Sequence, residues 1–419
     1  MVKLGKTTVV PKLRFSEFRE AEGWDLKHGD ELFDAINNRS PSEKLPILAI
    51  TQEHGAIPRD QIDYHVSVTE QSIESYKVVE KGDFIISLRS FQGGIEYSNY
   101  RGICSPAYVI LRRKGNGSDG YFRYFFKSAR FIQQLTRNIE GLRDGKMISY
   151  KQFSEQQVPV APVAEQQKIA NCLSSLDEVI AMKGRKVEAL KTYKRGLIQQ
   201  LFPRKGETVP RLRFPEFRDA GEWEVKRVEE LGHVLSGKAL AVNAPGALRP
   251  YLRTKNVLDG VIDLSDVLMM PMTDTEFSKF EILDGDILLN EGQSLELVGR
   301  ASLYRGEFGG RCAMQNQLLR FRALPSTCPE FAAQAFRKCQ KDGTFANIAT
   351  KTTSVAHLGS SRFCALKLVW PSTYLEQQRI ASCLSRLDAL ITAEIQKLEA
   401  LKTNKKGLIQ QLFPSLEEA

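Results

Sequence analysis

The chain has 419 residues, 42% hydrophobic and 26% charged, with a formal net charge of +9. That composition fits folded domains, two or three at the usual size of about 100–200 residues, and excludes a low-complexity or fibrous chain. The charge leans towards polyanions, nucleic acid first, and no run of about 18 uncharged apolar residues marks a membrane span.

The N-terminal stretch has no apolar core before a small-residue cleavage site, so no signal peptide is expected. PKLRFSEF follows at Pro11, then a tryptophan in GWDLK at Gly23. Short apolar runs bounded by glycine turns predict strands at PILAIT, DFIISL and AYVILRR, and apolar spacing predicts a helix over Gly120–Arg137. A proline then precedes EQQ at Glu165, and apolar residues alternate at spacings of four and three: Ile169, Leu173, Leu176, Ile180, Val187, Leu190, Leu197 and Leu201. This is a helix with a packing seam of period 3.5, roughly 50 Å long and stopped at Pro203.

The same order then repeats. PRLRFPEF starts at Pro210, EWEVK at Glu222, strands are predicted at DILLN and NQLLRFRA, and a helix at Pro329–Lys341. Glu165–Pro203 aligns without gaps on Glu376–Pro414, 26 of 39 positions being identical. The second seam includes Leu387, Ile391 and Leu401, and Lys194 and Lys405 interrupt the two seams at matching places. Lys183 and Glu394 interrupt them near the helix midpoints, where antiparallel packing would bring them face to face unless both point to solvent. Gly196 and Gly407 permit either a close helix approach or a kink.

Between the shared segments the two halves diverge, apart from faint echoes such as KGDFIIS at Lys81 and DGDILLN at Asp284. A common frame with two unlike surfaces is the expected organisation. The frame is α/β (α+β), with mixed or antiparallel sheet. The expected segments are a first module at 1–160, a long helix at 161–203, a second module at 204–370 and a second long helix at 371–414.

Polar and basic groups beside glycines concentrate in loops: Thr51–Arg59, Ser87–Gly94, Tyr97–Gly102 and Gly141–Phe153, then Arg253–Gly260, Asn290–Ser294, Gly309–Gln317 and Ala349–Phe363. Arg, Lys, Asn and Gln are the side chains that read base edges, while Ser, Thr and backbone amides hold phosphates. The candidate DNA contacts are Arg89, Arg101, Arg143 and Lys146, and in the second half Arg253, Lys255, Asn256 and Lys351. Catalytic signatures are missing. LGKTT at Leu4 lacks the upstream glycine of a phosphate loop, NAPG at Asn243 lacks the aromatic of an adenine-methylase motif, and the five histidines share no ligand spacing. Seven scattered cysteines without C-x-x-C point to reduced thiols and a cytoplasmic protein.

PKLRFSEF/PRLRFPEF, EQQKIA/EQQRIA, the twin GLIQQLFP, GICSPAYVIL at Gly102 and YLRTKNVLDGVID at Tyr251 resemble the specificity subunit of type I restriction–modification enzymes over nearly the whole chain. The resemblance implies two target-recognition domains, one per half of a bipartite double-stranded DNA site. Two long antiparallel helices with pseudo-twofold symmetry would join them, their length setting the spacer. It also implies two modification subunits bringing S-adenosylmethionine, two restriction subunits bringing ATP and magnesium, and no cofactor or catalysis in this chain. A coiled-coil adaptor with two ligand-binding modules and no DNA role, and the recognition subunit of a related methylase–nuclease system, remain as alternatives.

Overall fold

The computed structural model describes residues 8–39, 45–62, 73–137, 148–239, 244–352 and 355–414. The chain divides into two compact units, residues 1–185 with 396–419, and residues 186–395. Each unit therefore holds one module, the N-terminal part of its own long helix and the C-terminal part of the other.

The first unit is built on a four-stranded antiparallel sheet in the order Phe33–Ile36, Val109–Arg113, Phe84–Ile86, Glu96–Tyr97. Phe84, Ile85 and Ile86 are fully buried, which is why this strand reads as an unbroken apolar run rather than an alternation. The glycine turn before it is needed for conformation: Gly82 has φ +101°, and the neighbouring Asp83 accepts the Glu80 amide and both arms of the Arg112 fork at 2.7 and 2.8 Å. The second unit repeats this with Gly232–Ser236, Leu318–Ala323, Ile287–Asn290 and Ala301–Leu303, where Asp286 takes the Leu283 amide and the Arg322 fork at 2.7 Å. The helix expected over Gly120–Arg137 is two helices, Asp119–Phe125 and Ala129–Arg137. Ser128 stands between them, and its side chain accepts the amide of Phe131, the local bonding by which serine competes with a continuous helix. Its counterpart, Pro329–Lys341, is a single helix.

The shared motifs form one clamp, written twice. In the first unit Glu165, fully buried, accepts from Arg14 Nε and Nη2 at 2.9 and 2.8 Å and from Trp24 Nε1 at 3.0 Å, while Arg14 also reaches the carbonyls of Ala21 and Glu22. In the second, Glu376 accepts from Arg213 at 2.7 and 2.8 Å and from Trp223 at 3.2 Å. The hydrogen bond to the glutamate raises the pKa of each arginine above its ordinary value. The next residue ties each long helix to its own module: Gln166 accepts the Ser118 amide at 2.9 Å and Gln377 the Cys328 amide at 2.8 Å. The arginine of P-x-L-R-F, the tryptophan and the first two residues of E-Q-Q thus meet in one arrangement, a buried ion pair with an indole donor beside it and a glutamine tie to the module.

The long helices run Val163–Leu201 and Tyr374–Leu412. Within each unit their segments pack antiparallel. In the first, Ile169 and Leu173 share a core with Leu412 and Phe413, and Asp177 pairs with Lys405. In the second, Ile380 and Leu384 meet Leu201 and Phe202, Asp388 pairs with Lys194 at 2.6 Å, and Glu394 with Lys186 at 3.1 Å. Lys194 and Lys405, which break the seam at matching places, are thus partners for a matched aspartate, and Glu394 is buried rather than turned to solvent. The seam residues Leu176, Ile180, Leu190, Leu387, Ile391 and Leu401 are half-buried, as two packed helices leave them. Burial pushes the Asp388 pKa up, but Arg337, Lys194 and Gln334 outweigh it and hold the acid below its ordinary value. For Lys194 burial comes first and Arg337 adds to it, so the ammonium is also held below its ordinary value. The carboxylate, with its three donors, is the stabilised member of that pair.

A Cβ added at Gly196 or Gly407 would meet nothing within 4 Å, which removes close helix approach as their purpose, and both helices run through them unbroken. Gly196→Ala and Gly407→Ala are each expected to stabilise their unit by about 0.5–1 kcal/mol in urea unfolding. A loss of stability in either variant would show that the glycine backbone is required. Among the described residues no helix is long and apolar enough to cross a membrane.

Candidate nucleic-acid interface

In the first module three of the four polar loops come together. The hairpin Leu48–Thr51 and Gly55–Pro58 turns at Gly55, and Thr51 Oγ1 braces the turn by accepting the His54 amide at 3.0 Å and donating to the Gly55 carbonyl at 3.1 Å. Gln52 then reaches the loop at 87–94, its amide donating to the Arg89 carbonyl at 3.4 Å. Ala56 bridges Ser98 in the third loop. Arg89 is exposed on this surface beside Leu88, itself 52% exposed. Arg101 pairs with Glu80 at 3.0 Å, both side chains substantially exposed. Arg143 and Lys146 lie outside the described residues. Residues 148–153 of their loop are structural: Ser149 and Gln152 cap a short helix, and Tyr150 donates to the Phe33 carbonyl at 2.9 Å.

Lys127 holds this arrangement from behind. Its ammonium donates to the Gln52 carbonyl at 3.3 Å and pairs with Glu96, which is 2% exposed. Burial raises the pKa of Glu96, and Lys127 opposes that shift.

In the second module Gly292–Gln293, Ala356–His357 and Thr350–Lys351 form a small three-stranded sheet, which places Lys351 exposed at its edge. Beside it lies a polar cleft of about 420 Å³ lined by Ser236, Glu291, Asn316, Gln317, His357 and Arg362, with His357 Nδ1 3.1 Å from Glu291. Three of the four loops named from the sequence meet there. The remaining loop carries Arg253 and Lys255, which share Asp266 at 2.5 and 2.7 Å. Bonding to Lys255, first, and the charge of Arg253 hold that aspartate below its ordinary pKa. Asn256 is buried: it accepts the Arg253 amide at 2.9 Å and donates to the carbonyls of Asp263 and Asp266 at 2.8 and 3.1 Å. It braces the loop that carries the two cations instead of facing outward.

Glu291, Gln317, His357 and Arg362 were not singled out from the sequence. His357 lies in a two-residue strand, Glu291 between two strands, Gln317 in a turn and Arg362 in a six-residue helix, elements too short to give a periodicity to read. Lys127 and its counterpart Arg337 carry a legible signal, since each is a basic residue directly after a phenylalanine, Phe126 and Phe336, at the matching place in its half.

Two matched α/β frames with unlike polar loop surfaces define a protein of two modules built on one repeated frame. The family model described as "Type I restriction modification DNA specificity domain" matches twice, at residues 21–192 and 220–403. The chain belongs to that family, with one such domain in each half. It is 24% identical over 281 residues to the type I restriction enzyme MjaIX specificity subunit of Methanocaldococcus jannaschii, covering 60% of this chain and 64% of that one. It is 23% identical over 250 residues to the EcoKI specificity subunit of Escherichia coli K12, covering 58% and 53%. The alignments thus span less than two thirds of these relatives. The fold is shared with the type I restriction–modification S subunit from M. genitalium, at TM-score 0.55 and 14% identity over 97% of this chain and 99% of that one. It is shared also with a chain from a solved structure concerning complex assembly and conformational transition of the type I system, at TM-score 0.59 and 15% identity over 94% and 98%.

Proposed function

We propose that this chain is the specificity subunit of a type I restriction–modification complex, reading a bipartite, asymmetric duplex target with one module per half-site. The observation that carries the reading is the doubled frame with divergent loops. One frame written twice offers equivalent docking surfaces to two copies of a partner, while unlike loops read unlike sequences. In this reading methylation subunits bring S-adenosylmethionine, restriction subunits bring ATP and magnesium, and this chain contributes recognition without catalysis. Arg89, Arg101 and Lys351, with Arg253 and Lys255 at the adjoining loop, are the proposed contacts, and Asn256 is a brace.

The test is methylation mapping in cells with and without the gene, paired with DNA binding by the purified chain and its modification subunit across a salt series. One bipartite adenine-methylated motif disappearing with the gene, and affinity falling steeply with salt as phosphate contacts require, is the expected result. Unchanged methylation together with salt-insensitive binding would favour the adaptor reading.

A further inference from the structure

The two modules have different loops, yet both grip the first of them from the same place. Lys127 and Arg337 each follow a matched phenylalanine, Lys127 in the turn that ends the helix Asp119–Phe125 and Arg337 within the helix Pro329–Lys341. Lys127 donates to the carbonyl of Gln52 at 3.3 Å, within the loop at 51–59. Arg337 donates from Nε to Asp259 Oδ1 at 2.9 Å, within the loop at 253–260. These two loops occupy corresponding places after the matched strands Leu48–Thr51 and Ala247–Leu252.

The anchors behind the two cations differ. Lys127 is held by Glu96 on the edge strand of its own sheet. The matching strand position in the second module is Ser302, which itself donates to the carbonyls of Leu258 and Val261 at 2.7 and 3.1 Å, so the loop is fixed there directly. Arg337 is anchored instead by Asp388 of the long helix at 3.1 Å, where Lys194 at 2.6 Å and Gln334 at 2.9 Å also converge. Close packing reinforces both grips. Gly260 has φ +74°, and a Cβ there would lie 2.8 Å from the Arg337 guanidinium carbon; a Cβ at Gly93 would lie 2.6 Å from the Gln52 side chain. A side chain at Gly260 would displace the Arg337 guanidinium, and one at Gly93 would displace the Gln52 side chain.

We infer that Lys127 and Arg337 are the positioning residues of the two recognition loops, each setting the base preference of its own half-site without touching DNA. The inference rests on the proposed DNA-reading function and names the residues that make each reading surface rigid. A side chain held within a few tenths of an ångström discriminates bases; the same side chain on a loose loop still meets phosphate but loses that discrimination.

The experiment uses the full chain with its modification subunit and a duplex bearing the mapped target. Competition binding is measured against duplexes with single base changes in either half. Lys127→Met is expected to reduce discrimination about tenfold in one half-site only, and Arg337→Met about tenfold in the other only, with binding to an unrelated duplex unchanged. Lys127→Arg is expected to restore its half. Asp259→Asn, at a half-exposed position, removes the loop end of the second grip together with its pair to Lys341 at 2.9 Å, and, set beside Lys341→Met, which leaves the Arg337 grip in place and is expected to keep full discrimination, decides the matter if Arg337→Met folds poorly. Equal loosening of both halves, or full discrimination retained in folded variants, would overturn the inference. Absence of any sequence preference in the wild-type complex would instead remove the reading beneath it.

Discussion

Glu376→Ala is expected to destabilise the second unit by about 3–5 kcal/mol, and Glu165→Ala the first unit by a similar amount. Both carboxylates are 1% exposed, and each receives an arginine fork and an indole N–H. Truncation leaves a guanidinium whose side chain is only 8% exposed in the second unit, and 5% in the first, without its acceptor. The cost is that of an uncompensated buried charge, well above the roughly 0–1 kcal/mol of a surface pair. The carboxylates also sit in the first turn of the long helices, where a negative charge is favoured by the helix dipole. The pair Arg213→Leu with Glu376→Leu should recover much of the loss, because no charge then remains buried. Denaturant unfolding followed by hydrogen exchange in each unit measures both. A loss under about 1 kcal/mol for either single variant would mean that water reaches the clamp and that the motifs recur for another reason.

Much of the frame was legible because it is written twice. The repeat located both helices, the seam residues and the motifs that became the clamp, since identical side chains at fixed spacing must satisfy the same local geometry. What the repeat did not disclose was partnership. Nothing in P-x-L-R-F names Glu165 as its acceptor, because the pair is 151 positions apart. The split at Ser128 was hidden because the apolar pattern runs through it, while the serine side chain diverts a backbone amide. Asn256 looked like a reader because its type suits base edges. Only burial distinguishes a brace from a contact, and a two-residue strand or a half-turn gives no burial pattern to read. The loops are the least legible part for the reason that makes them useful: they differ between the modules, so neither copy can be read from the other.

The twin GLIQQLFP leads to the second large effect, and it falls on opposite modules. Phe413, 1% exposed, packs edge-on against Tyr121 and Phe125 at 5.2 and 5.6 Å, and Arg130 donates to its carbonyl at 2.9 Å. Phe202 stacks on Phe331 at 5.3 Å and meets Trp223 edge-on at 6.1 Å. The amide of Leu13 donates to the Gln411 carbonyl at 3.0 Å and that of Leu212 to Gln200 at 2.9 Å, so each helix end is stitched to a P-x-L-R-F segment as well. The segment at the end of the chain therefore completes the core of the N-terminal module, while the copy at the centre completes the C-terminal one. Phe413→Ala is expected to cost the first unit about 3–5 kcal/mol, and Phe202→Ala the second unit about the same, each by opening a cavity among aromatic rings. Hydrogen exchange in the intact chain separates the two, because each unit reports its own opening free energy. In Phe413→Ala the strands at 33–36, 84–86 and 109–113 should exchange faster while those at 232–236, 287–290 and 318–323 hold, and Phe202→Ala should give the reverse. Faster exchange in the strands at 33–36 and 84–86 on replacing Phe202 would mean that each helix end serves the module that precedes it, and that the duplicated segments are not the crossed closures described above.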